Sequence, residues 1–162
     1  MRVIRRGAPA AALALALSVA GCGVQPTGVI GAGEPASGLT RGLRLYYVSS
    51  SGLRAVPLID REVGENFGGV LKLLFQPPEG FVNLLQLNGY EVSAKGSRIT
   101  VHIEGTYGGT GRDLGTGQMV CTLTSALSVA DPKVDSEKVE VTLTPTQGPT
   151  QGPYRCADYF TR

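Results

Sequence analysis

The chain has 162 residues, 42% hydrophobic and 17% charged, with 15 basic and 13 acidic side chains. Aromatic content is 6% with no tryptophan, which argues against a carbohydrate-stacking platform. Three of the basic residues sit in the first six positions and no basic cluster follows, so the electrostatic footprint of a nucleic-acid binder is absent.

The first residues have the three parts of an export signal. Arg2, Arg5 and Arg6 form a positive start, Ala10 to Ala20 an apolar run, and Ala20-Gly21 a pair small enough for a peptidase cleft. The run is far short of the roughly 20 residues needed to span a bilayer. It ends in Val19-Ala20-Gly21-Cys22, which reads as a bacterial lipobox. That pattern predicts cleavage before Cys22, lipid (palmitate among the acyl groups) on its sulfur, and residence on the extracytoplasmic face of the cell membrane. Residues 1–21 are then discarded. The 141 residues left support one core and carry twelve basic against thirteen acidic side chains.

Residues 22–42 are rich in Gly, Pro, Ser and Thr, with no apolar period, and are expected to be a flexible tether. The folded domain is expected over 43–162. Leu43 to Val48 is an apolar and aromatic run suited to a strand, Ser49 to Gly52 is turn chemistry, and Leu53 to Ile59 returns as a second strand. Pro57 then belongs at an edge. Asp60 is expected to cap a helix whose stripe is Val63, Phe67, Val70, Leu71 and Leu74, stopped by Pro77-Pro78. Tyr90 to Ala94 and Ile99 to Glu104 read as a hairpin across Lys95-Gly96-Ser97, with His102, the only histidine, on the polar face.

Six glycines fall between 105 and 117. No lysine follows them in the GxxxxGK[ST] spacing of a phosphate loop, so a plain flexible loop is expected. Gln118 to Ala130 reads as a helix with Met119, Val120, Leu123, Ala126, Leu127 and Ala130 on a broad apolar face, ended by Asp131-Pro132. Val139, Val141 and Leu143 alternate as a last strand. Thr146-Gln-Gly-Pro149 and its copy at Thr150 to Pro153 read as loop, and Tyr154 to Phe160 as a returning tail. The order is β-β-α-β-β-α-β. It predicts an α+β fold, a small mixed or antiparallel sheet with two helices on one face.

With Cys22 lipidated, Cys121 and Cys156 are an even pair in an oxidising compartment. A disulfide stapling the C-terminal tail is expected. One histidine and three cysteines are too few for a structural zinc site, and no cofactor is expected. A Cys/His nucleophile pair would need His102 with a cysteine expected to be bonded. The acids Asp60, Glu62, Glu65, Asp131, Asp135 and Glu137 sit at element ends, where carboxylates usually cap helices or face water.

Several stretches resemble GerMN domains, the sporulation and germination module of bacterial envelope lipoproteins. They are Leu45-Tyr46-Tyr47-Val48, Val56-Pro57-Leu58 with Arg61, Val70-Leu-Lys-Leu-Leu74 before Pro77-Pro78, Gln118-Met-Val-Cys-Thr122 and Val139-Glu-Val-Thr-Leu143. The resemblance covers roughly 43–145. This chain has Phe75-Gln76-Pro77-Pro78 where the family usually has Gly-Pro, and lacks a proline near Leu87-Asn88. The resemblance implies protein contacts rather than catalysis and assigns no catalytic or ligand residue. The expected function is a non-enzymatic, membrane-anchored lipoprotein that binds or scaffolds an envelope protein. The alternatives are a cell-wall-modifying hydrolase or a small-ligand-binding lipoprotein.

Overall fold

The computed structural model describes residues 42–58 and 66–160. The expected signal over 1–21, Cys22, the expected tether up to Arg41, residues 59–65, among them Ile59, Asp60, Arg61, Glu62, Val63 and Glu65, and the last two residues lie outside the described residues. The elements are β1 (Arg44–Ser49), β2 (Gly52–Pro57), α1 (Phe67–Leu73), β3 (Tyr90–Lys95), β4 (Arg98–Ile103), α2 (Leu114–Ala130), β5 (Glu140–Pro145) and β6 (Gln151–Tyr154). Short 3₁₀ turns occupy Ser136–Lys138 and Cys156–Tyr159.

The strands form two sheets. β1 and β2 make an antiparallel hairpin, and the second sheet has the order β3-β4-β5-β6. In the second sheet β3 and β6 run antiparallel to their neighbours, while β4 and β5 are parallel. A parallel pair needs a crossover long enough to hold a helix, and α2 is that crossover. The class is the expected α+β. Ile99, Val101 and Ile103 of β4 and Val141 and Leu143 of β5 are buried, so one face of this sheet is covered. The opposite face carries Thr100, Thr142 and Thr144, half-buried, and His102, exposed where its alternation placed it.

The core joins that covered face to Leu43, Leu45 and Tyr47 of the hairpin side, Phe67, Val70, Leu71 and Leu74 from α1, and Met119, Val120, Leu123, Ala126 and Leu127 from α2. Burying each such side chain contributes about 1.5–3 kcal/mol, which is what orders α1 despite its two glycines. Phe67, Val70, Leu71 and Leu74 of the expected α1 stripe are buried, Val63 lies outside the described residues, and the helix starts at Phe67, later than a cap at Asp60 implied. Its cap is Asn66, whose side chain accepts from the Gly69 N–H at 2.9 Å.

Two further boundaries differ from expectation. α2 begins at Leu114, not Gln118, with Asp113 as its cap. Its first turn contains Gly115 and Gly117, which propensity disfavours, but both are needed for close approach. A Cβ on Gly115 would sit 3.0 Å from the Leu84 carbonyl oxygen, and one on Gly117 would sit 2.8 Å from the Tyr159 ring. Tertiary packing therefore overrides propensity here. Most of the second TQGP copy is not loop: Gln151 to Pro153 with Tyr154 form β6, an edge strand paired to β5 through an irregular register. Pro153 has no N–H to donate and is tolerated at an edge. Gly152 adopts φ +104°, and a Cβ there would meet the Val141 carbonyl oxygen at 2.8 Å.

Candidate functional site

α2 lies along the edge of β1 that β2 leaves unpaired. Three polar side chains at positions i, i+4 and i+7 of α2 serve that edge. The Ser125 hydroxyl accepts from the Arg44 N–H at 2.9 Å, and the Thr122 hydroxyl accepts from the Tyr46 N–H at 3.0 Å. Gln118, fully buried, donates from Nε2 to the carbonyls of Tyr46 at 3.2 Å and Val82 at 3.1 Å. Its Oε1 accepts from the Leu84 N–H at 2.7 Å. Two residues further along β1 Val82 takes over, exchanging both backbone hydrogen bonds with Val48. The helix thus replaces a neighbouring strand. The sequence signal for this arrangement is the polar stripe Gln118, Thr122 and Ser125 on a helix otherwise apolar.

The glycine-rich loop is tied to the start of α2 by a hydrogen-bonded chain. The Tyr107 phenol donates to the Thr116 hydroxyl at 2.7 Å, which donates to Asp113 Oδ2 at 2.8 Å. Asp113 also accepts from the N–H groups of Thr116 at 2.8 Å and Thr110 at 2.7 Å. Burial alone would raise the Asp113 carboxyl, but these donors outweigh it and hold the group below its usual value. Burial pushes the Tyr107 phenol up to about 12 and also raises Tyr159, which donates to the Gly111 carbonyl at 2.6 Å. Asp113 is fully engaged in capping, and the tyrosines are held neutral, so this cluster fastens a loop.

Cys121 and Cys156 form the expected disulfide, with Cα atoms 4.6 Å apart at a sequence separation of 35. The staple brings the tail across α2. Tyr159 packs over Gly117, and Phe160 meets the Tyr46 ring edge-on at 6.2 Å. Beside the staple is a cleft of about 400 Å³ with Gly42, Arg44, Tyr46, Thr124, Glu137 and Phe160 among its walls. The Thr124 hydroxyl there is buried without a hydrogen-bond partner. Cys22, the third predicted site residue, lies outside the described residues.

Of the acids expected at element ends, Asp131 and Asp135 are engaged locally, while the Glu137 side chain is exposed. Asp135 caps the first 3₁₀ turn by accepting from the Glu137 N–H at 3.0 Å, and Asp131 accepts from the Lys133 N–H at 3.1 Å. Among the described residues no three His, Cys, Asp or Glu side chains gather as a metal site. No helix among them is long and apolar enough to cross a membrane.

Two surface features remain. β3 is an edge strand of six residues, and Val92, Ser93 and Ala94 border a second cleft of about 350 Å³ floored by Phe67, Leu127 and Ala130. The other is the outward face of the β1–β2 hairpin. Residues directly opposed in a ladder share a face, so Tyr46 with Ala55, and Val48 with Val82 and the buried Leu53, line one side. Set against family models, curated proteins and solved structures, the chain finds no match in any of the three.

Proposed function

We propose that this chain is a lipid-anchored, extracytoplasmic, GerMN-like module that binds or scaffolds an envelope protein and catalyses no reaction. The observation that carries the reading is the open edge of β3. Among the described residues, the six consecutive residues there have strand neighbours on one side only, next to a cleft floored by apolar side chains. An extended segment of a partner can add to such an edge through main-chain hydrogen bonds and place alternate side chains in the cleft. Glu91 and Lys95 near the two ends discourage indiscriminate pairing, as charges on natural edges do.

The test is site-specific photocrosslinking in intact membranes from Ser93, exposed on β3, with His102 on the sheet's polar face as control. A discrete protein adduct from position 93, absent from position 102 and lost on Ala94→Pro, is the expected result. Equal labelling from both positions, or none from 93, overturns the reading. Small-ligand capture is favoured only by the unpartnered Thr124 hydroxyl in the cleft beside the disulfide.

A further inference from the structure

Four large hydrophobic side chains among the described residues are notably exposed: Phe75, Val82, Leu84 and Phe160. Single exposed apolar residues are ordinary, but a cluster on one face is not. Three of the four are tied to the Tyr46–Val48 stretch of β1. Phe160, 47% exposed, packs edge-on against its ring. Val82, 51% exposed, continues the hairpin face beyond Val48. Leu84, 49% exposed, lies two residues beyond Val82, and its backbone N–H is joined to the Tyr46 carbonyl through the amide of the buried Gln118. Ala55 and Pro57 extend the same face on β2.

The occupant is indicated by where the rest of the chain arrives. Gly42, the first described residue, lines the same cleft as Tyr46 and Phe160. Twenty residues of sequence separate it from the end of the predicted signal, counting from Cys22 to Arg41. A Gly-, Pro- and Ser-rich segment of that length spans on the order of 25 Å. A lipid on Cys22 therefore brings a bilayer within reach of this face, and the tether makes contact an intramolecular event at high effective concentration.

We propose that the outward face of the hairpin, with Val82, Leu84 and Phe160 as its inserting side chains, seats on the bilayer that holds the anchor. This rests on the Cys22 lipidation reading. The contact is interfacial, with Tyr46 at headgroup depth and the Arg44 guanidinium able to reach the phosphates while its stem stays against apolar surface. It is chiefly apolar, because the chain from Cys22 onward carries no basic cluster and a net charge of −1. Its salt dependence is consequently weak. β3 belongs to the other sheet and shares no residue with this face, so seating leaves that edge open to a partner.

The chain has no tryptophan, so Phe160→Trp supplies a unique fluorophore at the face. With Cys121 and Cys156 bonded, Cys22 is the one thiol in the chain from Cys22 onward and couples singly to a maleimide-bearing lipid. The coupled Phe160→Trp protein is placed on vesicles of phosphatidylethanolamine and phosphatidylglycerol. The expected result is a blue-shifted emission, quenched by brominated acyl chains, that persists in high salt and is lost in a Val82→Glu, Leu84→Glu background. Emission unchanged by coupling, or a shift that survives both glutamates, overturns the docking. A shift that follows protein concentration without vesicles assigns the face to a second copy and also overturns it. The anchor is tested apart, by the intact mass of protein isolated from native membranes. An unmodified Cys22 overturns the native relevance of docking whatever the coupled protein does.

Discussion

Gln118→Met tests the replacement of a strand by a helix. The thioether has nearly the shape of the amide but serves none of its three partners. The Tyr46 and Val82 carbonyls and the Leu84 N–H are then left facing an apolar group at the β1 edge. A buried backbone group stripped of its partner costs about 1–3 kcal/mol. All three belong to residues that are half-buried or exposed, so each falls near the low end, and together they amount to about 3 kcal/mol. That is a large share of a net stability of about 5–15 kcal/mol. For a domain of this size it lowers the melting temperature by about 12 °C. Guanidinium unfolding followed by circular dichroism gives the loss, with Gln86→Met, at an exposed position, as control. Amide exchange adds a local readout, because the Leu84 N–H should lose protection far more than amides of β4. A loss under about 1 kcal/mol with Leu84 still protected would refute the argument, since the edge would then not need the glutamine.

Replacing both Cys121 and Cys156 by alanine should cost about 3–4 kcal/mol, the loop-closure term for 35 residues, seen as a lower denaturation midpoint. An unchanged midpoint would mean that β6 and Tyr159 hold the tail without the staple. Stability should also respond to pH at both extremes. The folded Tyr107 phenol lies near 12 against an ordinary value of 10.0, so its contribution is intact below about pH 10 and is lost as pH rises toward 12. Tyr107→Phe should flatten that alkaline limb in pH-dependent melting curves. Asp113 has the opposite sign: its folded carboxyl lies below the ordinary value, so its contribution is present above that value and is lost as pH falls. Asp113→Ala should cost about 1 kcal/mol near neutral pH as a lost cap, and less in acid.

Local alternation and punctuation made most of the fold legible. Ile99, Val101 and Ile103 declare a half-buried strand by period alone. Phe67, Val70, Leu71 and Leu74 declare a helix face, and Pro77-Pro78 its limit. Cysteine arithmetic was sufficient for the staple because only one pairing remained once Cys22 was set aside. What escaped was fixed by contacts distant in sequence. Gly115 and Gly117 look like loop residues until the Leu84 carbonyl and the Tyr159 ring are placed beside them. Gln151 to Tyr154 looks like a turn repeat until β5 offers it an edge. The exposed face around Tyr46 was hidden for the same reason, since Val82, Leu84 and Phe160 reach it from separate parts of the chain.

The polar stripe of α2 also explains why the strands divide into two sheets. An exposed β1 edge would invite a third strand. Gln118, Thr122 and Ser125 instead supply donors and acceptors at the spacing the edge presents, and Val82 closes its far end. Side-chain hydrogen bonds do this without extending the sheet, so the hairpin stops at two strands and turns one face outward. β2 keeps its own outer edge guarded by Arg54 and by Pro57, which has no N–H to offer. β6 carries Pro153 and an irregular register. β3 is the edge left without a proline, a helix side chain or a bulge to block it, and among the described strands it is the one at which an added segment finds both free backbone and an apolar cleft.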